Sequence, residues 1–200
     1  MAELPVKSSD NSIPGLEQVL REIVPDPKDA SKLPPVHLWN PDNCGDIGME
    51  IRADGSWWHE GTRIGREKLV RLFSTILRKD EDGSTWLVTP YEKVVVHVED
   101  APFLAIRVDV VRPGEADQAL VFTTNVGDGS VAGPEHPLRV ETDAETLEPS
   151  PYVHVRGRLE AKLTRPAFYE LAGHAVANPD GSDTMGVWSR GEFFVIGPGA

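Results

Sequence analysis

From residue 86 onward the apolar residues recur at every second position. Segments 86–89, 94–99, 103–111 and 119–126 are rich in Val, Ile, Phe and Thr, and turn formers such as Glu99-Asp100-Ala101-Pro102 and Arg112-Pro113-Gly114 separate them. A period of two sends alternate side chains to opposite faces of an extended chain, so this stretch predicts an antiparallel meander with one buried face. Ahead of it, Leu69, Leu72, Phe73, Ile76 and Leu77 repeat at helical spacing and predict a helix over 64–79, closed by the polar turn Asp80-Glu81-Asp82-Gly83. Residues 47–52 and 56–59 flank Asp54-Gly55, a hairpin signal because Asp-Gly readily adopts the positive φ angles of a tight turn. A strand over 152–163, a helix over 165–177 and short strands over 185–189 and 192–196 complete the main body. Near the start, Leu16, Val19, Leu20 and Ile23 predict a short helix over 16–24, and Pro25, Pro27, Pro34 and Pro35 stiffen the connector after it.

The order strand, helix, Asp-Gly turn, strand, turn, strand describes both 57–96 and 153–195. A shift of 99 positions lays Arg66 on Arg165, Leu72 on Leu171, Thr85 on Thr184, Val88 on Val187 and Val96 on Val195. Internal duplication accounts for this order. The expected fold is therefore α+β, with two structurally related units, each an antiparallel sheet with one main helix. Residues 1–35 form a tail, short helix and proline-rich connector, 36–111 the first unit and 112–200 the second.

The 200 residues carry 32 Asp plus Glu against 20 Lys plus Arg, a formal charge of −12. That charge repels phosphate backbones and acidic bilayers, which argues against nucleic-acid and membrane partners. No apolar run approaches the roughly 20 residues of a membrane-spanning helix, and no secretion signal is visible, so a cytoplasmic location is expected. A single cysteine, Cys44, excludes an intramolecular disulfide and a multi-thiolate metal site. The six histidines include no pair at helical spacing and no His-Glu-x-x-His motif. No catalytic, metal-binding or cofactor-binding pattern is present. Asn125-Val126-Gly127-Asp128-Gly129-Ser130 lacks the Lys-Ser/Thr ending of a phosphate loop and reads as a hairpin turn, and Glu99 and Asp100 read as a polar turn.

The strongest electrostatic signal lies in 153–163. Val153, Val155, Leu159, Ala161 and Leu163 share one face, while His154, Arg156, Arg158, Glu160 and Lys162 share the other. With Arg165 the polar face carries a local +3 inside an acidic protein. Guanidinium forks match phosphate or carboxylate oxygens two at a time, so this strip is a candidate anion site. The competing reading is a solvated face whose cations pair with nearby carboxylates. Trp57 and Trp58 are neighbours on a strand, so one points inward and the other is available for stacking.

Several longer motifs resemble a bacterial family of unknown function, number 1285. Pro35-Val36-His37-Leu38-Trp39-Asn40-Pro41 and Cys44-Gly45-Asp46-Ile47 are similar to its opening. Asp54-Gly55-Ser56-Trp57-Trp58-His59-Glu60-Gly61, Leu87-Val88-Thr89-Pro90-Tyr91-Glu92-Lys93 and Val98-Glu99-Asp100-Ala101-Pro102-Phe103 resemble its central signatures. Glu148-Pro149-Ser150-Pro151-Tyr152-Val153-His154-Val155-Arg156 resembles a later one. The resemblance runs from about residue 34 onward. It implies a duplicated core, a C-terminal unit like a pleckstrin-homology domain, and a nucleotide-like ligand held between the units of a signalling protein.

Residues and resemblance together point to a non-catalytic sensor or adaptor that binds a small anionic, nucleotide-based ligand between its units, with a protein partner in signalling. Arg156 and Arg158 are the expected anion clamps and Trp58 the stacking surface, with Thr89, Glu92, Asn125 and His136 supplying polar contacts. The alternatives are a protein-interaction module using a pleckstrin-homology-like surface, and a hydrolase assembled from scattered acids and histidines.

Overall fold

The computed structural model describes residues 33–199, so the helix expected over 16–24 lies outside the described residues. After Pro34 and Pro35 the chain makes a 3-10 turn at Val36–Leu38. Strands β1 (Cys44–Ile51), β2 (Trp57–His59) and β3 (Thr62–Arg63) then form an antiparallel meander. Helix α1 (Glu67–Thr75) leads into a second meander, β4 (Leu77–Lys79), β5 (Thr85–Val88) and β6 (Lys93–Val98). The first strand of one meander and the last of the other lie parallel at the centre, giving the order β3-β2-β1-β6-β5-β4.

The second sheet repeats this plan. Strands β7 (Phe103–Val111), β8 (Ala119–Thr124) and β9 (Gly129–Val131) make one meander, and β10 (Leu138–Thr142), β11 (Pro149–Arg156) and β12 (Leu159–Leu163) the other. Again the first and last strands pair in parallel, so the order reads β9-β8-β7-β12-β11-β10. Helix α2 (Arg165–Ala172) and a separate three-stranded sheet follow, made of β13 (Val176–Ala177), β14 (Thr184–Ser189) and β15 (Glu192–Pro198). The two six-stranded sheets thus fit a duplicated design, but the equivalent segments are β1–β6 and β7–β12, not 57–96 and 153–195. The helix of the first sheet sits between its meanders, whereas α2 follows the whole of the second sheet.

Four expectations are corrected. The meander over 86–126 is two sheets, because β6 and β7 turn away from each other at Asp100–Pro102, and β7 joins the second sheet although the sequence reading grouped it with the first unit. Each sheet holds one parallel pair instead of being wholly antiparallel. The helix expected over 64–79 stops at Thr75, and Leu77 and Lys79 pair with Leu87 and Thr85 as β4; the helix expected over 165–177 likewise ends at Ala172. The strand over 152–163 folds back on itself, with Gly157 at φ +57° and Arg158 in the turn between β11 and β12. A positive φ costs glycine least, because it has no Cβ to clash with the backbone.

One connected core joins the units. Met49, Ile51, Leu87, Val94 and Val96 from the first sheet meet Leu69, Leu72 and Phe73 of α1 and Ile76 just after it, and the cluster continues through Phe103, Leu120, Phe122, Val153, Val155 and Ala161 of the second sheet. Each large apolar side chain buried in this way contributes about 1.5–3 kcal/mol. Leu171 of α2 and Val187, Phe194 and Ile196 of the third sheet close the far side. Buried Ser189 stitches that sheet on, donating to the Ala132 carbonyl at 2.7 Å and accepting from the Leu120 amide at 3.0 Å.

Candidate functional site

A cleft of about 840 Å³ opens where the β11–β12 hairpin of the second sheet approaches the β4–β5 edge of the first. Its walls come from the segment around the 3-10 turn, from β4 and the turn after it, and from Arg156 to Leu159. Pro34, Val36, Trp39, Leu77 and Leu159 make it partly apolar, and Lys79, Arg156 and Arg158 bring positive charge opposite the acidic turn Asp80-Glu81-Asp82. Such a volume and mixture suit a small organic ligand. Arg78 builds one wall: its Nη1 donates to the carbonyls of Val36 at 3.0 Å and Trp39 at 2.5 Å, while its Nε and Nη2 grip Asp80 at 2.6 and 3.2 Å.

The two expected clamps behave differently. Arg156 pairs through Nη1 with Asp128, donates through Nη2 to the Ser74 carbonyl at 2.6 Å, and stacks over Phe103 with 5.0 Å to the ring centre. Its side chain is 21% exposed and that of Asp128 16%. Because Ser74 belongs to α1 and Asp128 to the β8–β9 turn, Arg156 ties the units together and its charge is matched. Arg158 is 55% exposed and reaches Glu81, itself 86% exposed, at 2.5 Å. The rest of the strip is also paired, Lys162 with Asp100 at 2.6 Å and Arg165 with Glu148 at 2.7 Å. The +3 face is therefore neutralised by carboxylates from distant segments. The Lys79 side chain, at the cleft wall, makes no hydrogen bond or ion pair among the described residues, and its charge helps to lower Glu160.

The other predicted residues do not gather at this cleft. Trp58 is indeed the outward member of its pair, but Arg52 covers its ring at 3.6 Å and its indole donates to Ser56 at 2.8 Å. Thr89 is fully buried, and its hydroxyl closes a turn by donating to the Glu92 carbonyl at 3.0 Å and accepting the Glu92 amide at 3.1 Å. Asn125 accepts from the Leu104 amide at 3.1 Å and donates to the Gly55 carbonyl at 3.4 Å, bridging the units elsewhere along the seam. His136 faces His154, Nδ1 to Nδ1, at 3.0 Å. The His154 Nε2–H donates to the Gly157 carbonyl at 2.7 Å, which leaves its Nδ1 to accept from His136. Among the described residues no group of three or more His, Cys, Asp or Glu side chains could hold a metal ion, and no helix is long and apolar enough to cross a membrane.

A recurring tripeptide explains much of the remaining electrostatics. Asp-Gly-Ser occurs at 54–56, 82–84, 128–130 and 180–182. In three of them the aspartate accepts from the serine amide two residues on, at 2.8–2.9 Å. Serine hydroxyl and amide bonds accordingly hold Asp54, Asp82 and Asp180 below the usual carboxylate range. The fourth, Asp128, spends its carboxylate on Arg156 instead. Bidentate bonding to Arg139 outweighs burial and lowers Glu160, while burial and Asp100 raise the Tyr152 phenol. Each of these shifted groups is thus engaged in a turn, an ion pair or a hydrogen bond.

Comparison with known proteins agrees with this division of the chain. Residues 34–101 match the N-terminal domain of a family described as a domain of unknown function, DUF1285, and residues 102–196 match its C-terminal domain. The chain belongs to this family. The crystal structure of a DUF1285 family protein from Silicibacter pomeroyi DSS-3 is 44% identical, covers 94% of this chain and 97% of its own, and superposes with a TM-score of 0.80. A second DUF1285 family protein, from Shewanella baltica OS155, is 28% identical over 64% of this chain and 92% of its own, with a TM-score of 0.49. A comparison with curated proteins found no match.

Proposed function

We propose that this DUF1285 protein is a non-catalytic sensor or adaptor in bacterial signalling that holds a small anionic ligand, of nucleotide type, in the cleft between its two units. The observation that carries the reading is the cleft itself: about 840 Å³, walled by both units, partly apolar and bordered by Lys79 and Arg158. Lys79 supplies the fixed positive charge. Arg158 is the second contact, since its Glu81 partner is largely in solvent and a surface pair of this kind contributes little. Trp39 offers an aromatic face for a base. Arg156 shapes the floor and keeps the units in register. A ligand touching both units stabilises their joint, which is how occupancy becomes a signal.

A thermal-shift screen of mono- and dinucleotides at millimolar concentration tests this. A ligand at 100 times its Kd adds about 2.7 kcal/mol, which for a domain pair of this size raises Tm by roughly 5–10 °C. A melt unmoved by every nucleotide overturns the reading. That outcome favours the alternative of a protein-interaction surface on the C-terminal unit, whose support is the outer face of the third sheet. Strand pairing sets Val176, Trp188, Phe193 and Val195 on that one face, and Val176, Trp188 and Val195 are exposed.

A further inference from the structure

We infer that a second pocket along the seam, separate from the cleft, binds a small oxyanion, either a phosphate or a carboxylate group. The pocket, of about 500 Å³, lies between the start of α1 and the end of β8, where Asn125 ties the second sheet to Gly55 of the first. What distinguishes it is a buried hydrogen-bond donor without an acceptor. Trp57 forms its inner wall and is 1% exposed, and the buried indole N–H of Trp57 has no acceptor. Buried donors are almost always satisfied by protein, water or a bound group, so an orphan at a pocket wall calls for an acceptor from inside it.

Two guanidinium groups border the same space. Arg63 and Arg71 each line the pocket, and their side chains make no hydrogen bond or ion pair among the described residues. Helix α1 also starts here without a side-chain cap, leaving first-turn amides to other acceptors. Two carboxylates, Asp54 and Glu67, line the pocket as well, and the Arg63 charge acts on Asp54, but neither carboxylate accepts from the Trp57 indole. The Asp54 Oδ1 is taken by the Ser56 amide at 2.9 Å and hydroxyl at 2.5 Å, and Glu67 is an exposed first-turn residue of α1. An oxyanion between the arginines carries several lone pairs and a negative charge, and accepts from fork-shaped donors in pairs. This inference is independent of the cleft, because none of Trp57, Arg63 and Arg71 lines it.

The test is a ¹H–¹⁵N titration of the full chain following the assigned indole N–H of Trp57, with inorganic phosphate in one arm, succinate in another and potassium chloride at matched ionic strength as the control. The expected result is a saturable shift of the Trp57 indole resonance with phosphate, succinate or both, absent in chloride. The Arg63→Ala, Arg71→Ala double variant, changed only at exposed side chains, should weaken that titration at least about tenfold. A Lys79→Ala, Arg158→Ala variant should leave it unchanged. A still Trp57 resonance in both oxyanion arms, a shift that chloride reproduces, or a titration indifferent to Arg63 and Arg71 overturns the inference. The arm that saturates identifies phosphate or carboxylate as the group recognised.

Discussion

Arg156 and Arg158 stand two residues apart on one hairpin and inhabit different environments. Arg156 lies in the seam, where a carboxylate, a backbone carbonyl and an aromatic ring from three other segments converge on one guanidinium. Arg158 lies at the rim, holding a single carboxylate that is mostly in water. Water sets the difference. Removing a partner from a poorly solvated pair strands a charge and leaves acceptors unmet, whereas removing one from a solvated pair lets water replace it. The inner residue is committed to holding the two units together, and the outer one is free to exchange its partner for a ligand.

The sharpest way to break this contrast is Arg156→Ala. Loss of the guanidinium leaves Asp128 without its donor and takes one from the Ser74 carbonyl, and about 2–4 kcal/mol of unfolding free energy should disappear in urea denaturation. Arg156→Lys should recover only part of it, since one ammonium does not reproduce the fork that reaches Asp128 and Ser74 together. A loss below about 0.5 kcal/mol, the range of ordinary surface substitutions, removes the distinction between seam and rim.

An ion pair within one unit gives an intermediate case. Arg139 on β10 grips Glu160 on β12 with two bonds of 2.7 Å, and the Glu160 carboxyl is held below its ordinary value of 4.5 chiefly by those bonds. A depressed folded pKa means that the unfolded chain binds the proton first, so this contribution is present above about pH 4.5 and is lost as pH falls through the folded value. Glu160→Gln should therefore cost about 1 kcal/mol or less at pH 7, because both partners are partly solvated. The gap between variant and parent should shrink as urea melts are repeated from pH 6 down to pH 3. A gap that is constant over that range assigns the effect to packing and not to charge.

These cases show which physics can be read along a chain. Helix α1 was legible from Leu69, Leu72, Phe73 and Ile76, but its end was not, because Leu77 continues the helical spacing while pairing as β4. The hairpin at Gly157 was hidden for a related reason: a two-residue turn alone inverts the parity of the alternation, but the register shift between His154 and Arg156 restores it, so Val153, Val155, Leu159, Ala161 and Leu163 are buried just as in an unbroken strand. A period of two is equally silent about direction, so neither β1 beside β6 nor β7 beside β12 was foreseeable as parallel. The cationic face was visible, yet Asp128, Glu81, Asp100 and Glu148, which neutralise it, come from 17 to 77 positions away. Lys79 was missed because a position assigned to a helix end drew no attention as a cleft residue.

The smallest change in stability should come from Arg158→Ala, and that is what makes it informative. Its pair with Glu81 is solvent-exposed on both sides, so unfolding free energy should move by no more than about 0.5 kcal/mol. If the rim is where an anion binds, the same substitution should still weaken, about tenfold, any nucleotide that raises the melting temperature of the parent. Lys79→Ala should weaken it at least as much, because the Lys79 ammonium lines the same cleft and no carboxylate holds it in an ion pair among the described residues. A ligand that binds the Arg158→Ala protein as tightly as the parent, with stability equally unmoved, leaves Arg158 a solvated side chain and shifts the recognition of charge wholly to Lys79.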